Sequence, residues 1–191
     1  MPISFSSDHY NISHPGYVPG RYYQGFKNIA TSTSSTAGFI INFISYYLFS
    51  IHHKVTLTRL AVSVVTSIAD TDLRLGVYSN QDGIPKDLLI DSGNIATETS
   101  GIKEAIILLP STPGDYWLGG VTFKAPSLHT CVSNLATNYD LGQSTPTIST
   151  ANSGLRNTLA VAPNTMPISA PVDNLYFING NNRPLFWFKV A

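Results

Sequence analysis

Two groups of residues have the side chains that metal chemistry uses. His52 and His53 are adjacent, and because adjacent side chains in a strand point to opposite faces, they are poor joint ligands for one metal. Asn80, Asp82 and Gly83 resemble the start of a calcium-binding loop, but the bidentate Glu and the rest of that loop are absent. Capping of a turn by Asp and Asn explains the same residues. The sequence therefore predicts no metal site and no cofactor.

Nucleophilic catalysis has equally little support. Cys131, the one cysteine of the chain, lies two residues from His129, whereas a catalytic pair needs the two on cooperating elements. The sequence contains no nucleophile elbow, no phosphate-binding loop and no H-E-x-x-H motif. We predict that the chain is not an enzyme and that Cys131 is a buried structural thiol.

Two polar loops have the side chains of a glycan site, which combines an aromatic face with Asn, Asp and Gln hydrogen-bonding groups. They lie at residues 134–150 and 179–184. The candidate contacts are Tyr139, Asp140, Gln143, Asn179, Asn181 and Asn182. Ordinary polar loops have the same composition, so both interpretations stay open.

The composition restricts the partners of the chain. Its 191 residues include 11 Lys and Arg and 11 Asp and Glu, so only 12% of the residues are charged, about half the usual fraction. A neutral chain lacks the basic surface that phosphate binding requires, which argues against nucleic-acid binding. Low charge instead favours apolar contact with other protein chains over electrostatic capture of a charged partner.

Membrane insertion and secretion signals are also not expected. Residues 1–10 have no Lys or Arg ahead of an apolar stretch and do not form a secretory signal peptide. The most apolar run, residues 39–49, contains Asn42 and Ser45 and is much shorter than the roughly 20 residues that span a bilayer. This run is interpreted as a buried strand.

The elements that position these residues are strands. Short apolar segments alternate with Gly, Pro, Asn and Asp turns, and no long helical period appears, which predicts an all-β fold, an antiparallel β-sandwich of jelly-roll type. The apolar phase changes within residues 55–65, which indicates a β-bulge near Arg59 or a switch between sheets. The pair Asp82-Gly83 predicts a tight turn. The expected strands are 39–49, 55–65, 73–78, 88–95, 102–109, 116–123, 128–132, 155–162 and 185–190.

The first 36 residues differ from the rest. Residues 1–36 are rich in Pro, Gly and aromatic side chains and predict an irregular N-terminal arm, and residues 37–191 predict a single sandwich domain. An arm with this many aromatic side chains packs on something, either its own domain or a neighbouring chain.

A second apolar feature points to assembly. If residues 39–49 form a regular strand, both of its faces are apolar, and one face needs a cover from a subunit interface or from another segment of the chain. The candidate assembly contacts from the arm and this strand are Tyr10, Tyr17, Tyr22, Tyr23, Phe26, Phe39, Ile41 and Phe43.

Three blocks of sequence carry a family resemblance. They are residues 73–93 (LRLGVYSNQDGIPKDLLIDSG), 113–119 (PGDYWLG) and 184–191 (PLFWFKVA). The chain resembles, over roughly residues 22–191, a β-sandwich module of bacteriophage virion proteins. In that family a pattern of L-R-L-G-I-Y, a Gly/Pro turn, L-L-x-D-x-G and G-x-Y-W-L recurs. These motifs are structural rather than catalytic.

The resemblance implies a location on the virion surface, after assembly in the host bacterial cytoplasm. It leaves two virion roles open, a head-decoration (cement) protein that stabilises the capsid and a tail-fibre or minor tail component. The implied partners are other virion proteins and further copies of the chain, with a homotrimer expected from phage appendages. The alternative function is a host-recognition module that binds a bacterial surface glycan.

Overall fold

The computed structural model describes residues 14–25, 31–37, 39–132, 141, 152–162, 165–179 and 182–191. These residues form strands joined by turns and a short 3-10 turn at Val172–Asn174. In chain order the strands are β1 (Tyr22–Gln24), β2 (Thr31–Ala37), β3 (Ser45–Ile51), β4 (Val55–Thr66), β5 (Asp72–Gln81), β6 (Ile84–Ala96), β7 (Gly101–Ser111), β8 (Gly114–Thr122), β9 (Ser127–Val132), β10 (Asn152–Asn157), β11 (Leu175–Asn179), β12 (Asn182–Pro184) and β13 (Phe186–Val190).

The strands form two sheets packed face to face. The first sheet has the order β1-β13-β4-β9-β12, with β2 on β9 and β7 on β4, and the second has the order β11-β10-β3-β8-β5-β6. Neighbouring strands in both sheets run antiparallel. The all-β antiparallel sandwich expected from the sequence is confirmed. None of the described residues belongs to a helix long and apolar enough to cross a membrane.

Two local predictions are confirmed. Asp82 and Gly83 connect β5 to β6 with φ values of 54° and 83°, the left-handed region that Asp tolerates and Gly adopts freely. The register of β4 against β7 shifts between Leu57 and Arg59. Leu57 and Leu60 are therefore both fully buried although they lie an odd number of residues apart. The phase change is a bulge, and β4 stays in one sheet.

The prediction of a single regular strand over residues 39–49 is wrong. The strand begins only at Ser45, because Asn42 turns the chain with a φ of 65° and its N–H donates to the Thr122 carbonyl at 2.9 Å. Asn is one of the few residues that adopt this conformation at low cost. The turn buries Phe39, which is 2% exposed, and leaves Ile41 42% exposed.

The sandwich has two apolar cores. The main core lies between the sheets and includes Leu57, Leu75 and Phe186. The second core lies on the outer face of the second sheet, where Tyr46 and Trp117 pack under Met166, Ala170 and Val172. Neighbours along a strand alternate between the two cores, as Tyr46 and Tyr47 do. The sequence left two possible covers for this apolar segment, a subunit interface or another segment of the chain. The outer face of β3 is covered by Met166, Ala170 and Val172 of the same chain.

The segment that covers the second core also pairs with β6. The Leu88 N–H donates to the Ile168 carbonyl at 2.8 Å, and the Ala170 N–H donates to the Lys86 carbonyl at 2.7 Å. These bonds occupy part of the outer edge of the second sheet. Residues 166–172 therefore act as a cover over one face and one edge of that sheet.

The described part of the predicted arm folds onto its own domain. β1 pairs with β13, and β2 pairs with β9. Tyr17 and Tyr23 pack on Phe188, with ring centroids 5.8 and 6.1 Å away, and the Tyr17 hydroxyl accepts the His52 N–H at 3.2 Å. The two alternatives for the arm were docking on its own domain and docking on a neighbouring chain. The described part of the arm docks on its own domain.

Candidate functional site: the outer face of the first sheet

The predicted glycan contacts are mostly not described by the structure. Asn179 is exposed at the end of β11, and the backbone of Asn182 pairs with Val132 in β12. The candidates that lie outside the described residues are Tyr139, Asp140, Gln143 and Asn181, together with the assembly candidates Tyr10 and Phe26.

The remaining assembly candidates separate into two sets. Phe39 is a core residue, so its side chain cannot contact a neighbouring chain, and Tyr17, Tyr23 and Phe43 are partly buried. Tyr22 and Ile41 are exposed by 39% and 42%. Tyr22 belongs to a larger surface on the first sheet, most of which was not predicted from the sequence.

That surface consists of two rows of side chains on the outer face of the first sheet. Residues paired across neighbouring antiparallel strands point to the same face and lie close together. The register gives one row of Ile106, Arg59, Lys189 and Tyr22, and a second row of Glu104, Ala61, Trp187 and Gln24. The strands β7, β4, β13 and β1 each contribute one residue to each row.

A polar cluster joins the two rows. The Tyr22 hydroxyl donates to Glu104 Oε1 at 2.8 Å, Arg59 Nη1 lies 3.5 Å from Glu104 Oε2, and Lys189 Nζ lies 5.2 Å from the centre of the Tyr22 ring. Burial and the Glu104 carboxylate raise the pKa of Tyr22, and Arg59 opposes them. Exposed ion pairs of this kind contribute about 0–1 kcal/mol. The cluster therefore orients the side chains more than it stabilises the fold.

An aliphatic row on β7 adjoins the polar cluster. Ile102, Ile106 and Leu108, called here the β7 row, are 57%, 75% and 70% exposed. The side chains of opposite parity on this strand, at Ala105, Ile107 and Leu109, are buried in the main core. Single exposed aliphatic residues are normal on a protein surface, but Ile106 and Leu108 are neighbours on this face and Ile102 lies just beyond Glu104. A group of exposed aliphatic residues of this kind marks a contact surface. The β7 row is therefore an apolar part of a contact surface.

His14, His52 and Cys131, which the structure describes, do not form a reactive centre. His14 stacks on His52 with ring centroids 4.8 Å apart and an interplanar angle of 15°, which brings ring faces rather than ring nitrogens together. Within the described part of the chain, no group of three or more His, Cys, Asp or Glu is arranged to hold a metal ion. Burial raises the pKa of the Cys131 thiol to about 11, so this thiol is a weak nucleophile near neutral pH.

One signal in the sequence could have revealed the β7 row. Residues 106–109 are aliphatic on both parities of a predicted strand, so one set must face outward if the other faces the core. The polar cluster had no such signal, because Tyr22, Arg59 and Glu104 are distant in sequence and meet only through the strand order.

The outer face of the first sheet has the chemistry of a protein contact surface. It combines Tyr22, Trp187 and Arg59, residue types that are enriched at protein interfaces, with the β7 row. The sequence matches no protein-family model and no curated protein.

Proposed function

We propose that this chain is a non-enzymatic structural protein of a bacteriophage virion surface. It is a head-decoration protein or a tail-fibre component that binds neighbouring protein chains through the outer face of the first sheet. The observation that carries the proposal is the β7 row, in which three aliphatic side chains are 57–75% exposed on one strand. An exposed apolar surface of this kind lowers solubility, and contact with another protein chain removes it from water.

Apolar contact is the larger energy term on this face. Full burial of an Ile or Leu side chain contributes about 1.5–3 kcal/mol, so covering the exposed parts of the β7 row contributes roughly 3–6 kcal/mol. The Arg59–Glu104 pair, with side chains 35% and 34% exposed, contributes about 0–1 kcal/mol. A partner that covers the β7 row therefore gains more from apolar burial than from charge.

The virion location is supported by the phage-like sequence blocks. Leu73 and Leu75 in the first block and Trp117 in the second are fully buried, and residues 73–93 contain the β5–β6 hairpin. The resembling residues therefore build the sandwich itself. Building the fold is the role expected of a structural motif, as opposed to a catalytic one.

Attachment to particles tests the proposal. We expect electron microscopy to show the wild-type protein on intact virions, at many regular positions over the capsid for a head-decoration protein or at few copies on the tail for a fibre component. We expect Ile106→Lys to reduce its copy number on particles at least tenfold, the loss that about 1.4 kcal/mol of binding energy produces. Ile168→Lys is the matched control, because Ile168 is 82% exposed but pairs with β6 rather than lying on β7. Equal attachment of both variants, or no wild-type protein on virions, contradicts the proposal.

A second candidate function is glycan binding at the edge of the second sheet. Tyr176 on β11 is 42% exposed, Arg156 Cζ lies 6.0 Å from its ring centre, and Arg156 Nη1 donates to the Tyr176 hydroxyl at 3.4 Å. An aromatic face beside hydrogen-bonding groups suits a sugar ring. A recognition module is expected to bind host cells alone, and Tyr176→Ala is expected to lower that binding at least tenfold. Failure of the wild-type protein to bind host cells rejects this candidate.

A further inference from the structure

We propose that two copies of this chain pair through their β7 strands, so that the first sheet continues from one copy into the next across a two-fold axis. This inference goes beyond the proposed function: it joins two copies at the edge of β7 and leaves the outer face of the first sheet available to neighbouring chains. Three features of β7 carry it: an unpaired edge, an apolar outer row and a balanced charge.

The first feature is the unpaired edge. β7 has 11 residues, and residues 101–111 pair with residues 55–64 of β4 along one side. Among the strands that the structure describes, no strand other than β4 pairs with β7. Alternate N–H and C=O groups on its other side therefore point away from the sheet. Antiparallel pairing of two such strands forms about eight to ten main-chain hydrogen bonds, because Pro110 has no N–H to donate, and this number lies within the range of a typical stable interface.

The second feature is the register that the apolar row allows. A two-fold axis perpendicular to the sheet places one residue of β7 opposite itself. With Ile106 at the axis, it faces Ile106 of the partner subunit, and Glu104 faces Leu108 of the partner subunit. With Glu104 at the axis, two carboxylates face each other, which destabilises the pair. The register centred on Ile106 therefore places the most exposed aliphatic residue of the strand, at 75%, at the middle of the interface.

The third feature is the charge of the edge. Within β7, Lys103 and Glu104 are the charged residues, and they have opposite signs. Glu104 is already paired with Arg59 of its own copy. A strongly acidic or basic partner finds no complementary charge on this edge, whereas a second copy presents the same apolar row and the same unpaired groups. Two-fold pairing of identical surfaces is also the commonest form of self-association.

Cysteine cross-linking tests the register directly. The chain has one cysteine, Cys131, which is 1% exposed. A disulfide between two copies therefore reports on the added surface cysteine. Paired residues in antiparallel strands have Cα atoms about 4.5–5.5 Å apart, within the range of a disulfide. We expect Ile106→Cys to form a covalent dimer under mild oxidation. The matched variant Ile168→Cys, which is equally accessible, is expected not to form one.

Mixing two different cysteine variants tests the register of the two β7 strands. Glu104→Cys and Leu108→Cys are expected to cross-link with each other when mixed. Each is expected not to cross-link with itself, because two copies of either residue lie about 13 Å apart in this register. Strong self-cross-linking of Leu108→Cys contradicts the register centred on Ile106.

Sedimentation measures the pairing without a cross-link. We expect the wild-type protein to be a dimer and Ile106→Lys to be a monomer, with a dissociation constant raised about 100-fold or more because two ammonium groups oppose each other at the axis. An unchanged circular dichroism spectrum and melting curve show that the variant is folded. A monomeric or trimeric wild-type protein, or a dimer in which Ile106→Cys does not cross-link, overturns the inference.

These outcomes are separable from the proposed function. If the wild-type protein is monomeric but Ile106→Lys still loses attachment to virions, the β7 row binds another virion protein and only the self-pairing is wrong. If the protein is a cross-linkable dimer that is absent from virions, the pairing stands and the proposed virion role is wrong.

Discussion

Replacing Trp117 by alanine is expected to lower the free energy of unfolding by about 3–5 kcal/mol, the usual cost of removing a large buried aromatic side chain. Trp117 is fully buried in the second core, under the cover that contains Met166 and Ala170. Its indole N–H donates to Asn80 Oδ1 at 2.8 Å. The variant therefore loses apolar burial and a hydrogen bond, and it leaves a cavity that the cover fills only in part.

Urea denaturation at neutral pH measures this change. Tyr176→Ala is the matched control, because it removes an aromatic side chain that is 42% exposed, and its cost is expected to stay below about 1 kcal/mol. Asn80→Ala separates the hydrogen bond from the packing, with an expected cost of about 1–3 kcal/mol for an indole N–H left without an acceptor. A loss below about 1 kcal/mol for Trp117→Ala means that the cover does not enclose this side chain.

The second large effect is a loss of stability at alkaline pH. Burial raises the pKa of Tyr47 from 10.0 to about 12, against the opposing effect of Arg156. Burial also raises the pKa of Tyr46 and of Tyr78. In the unfolded chain these phenols lose their protons near pH 10, whereas in the folded chain they keep them to higher pH. The folded state thus binds more protons above pH 10, and stability falls as the pH rises.

The expected slope is about 1.4 kcal/mol per pH unit for each such tyrosine between pH 10 and 12. The three tyrosines together give roughly 4 kcal/mol per pH unit, and below pH 10 their contribution to stability is constant. Denaturant titrations at successive pH values measure the slope. Tyr47→Phe is expected to remove about a third of it, because the variant has no phenol to ionise at this position. A free energy of unfolding that stays constant from pH 9 to 11 contradicts the expectation.

Local chemistry made part of this fold predictable. Asp82 and Gly83 specify a turn because few residues adopt a positive φ, and the bulge near Arg59 appears as a phase change because side chains alternate strictly along a strand. The break at Asn42 was missed because the apolar residues on both sides of it look like a continuous strand. β2 was missed because its Ser and Thr residues show no alternation between apolar and polar side chains.

The candidate site was less predictable than the fold. The polar cluster depends on β1 pairing with β13 and on β13 pairing with β4, a strand order that no local pattern specifies. The assembly candidate Phe39 was misplaced for a similar reason, because parity alone does not show which side of an apolar segment the chain covers. Tertiary packing decided both outcomes.

The cover on β6 has a consequence for the size of any assembly. β6 lies at an edge of the second sheet, and the Ile168 and Lys86 carbonyls already accept hydrogen bonds between it and the cover. Pairing about a two-fold axis occupies the β7 edge of both copies, so the dimer has no free β7 edge for a third copy. The cover occupies part of the β6 edge and so leaves less free edge there for a further copy to pair with. It thus limits fibre growth at β6 through main-chain hydrogen bonds within the chain.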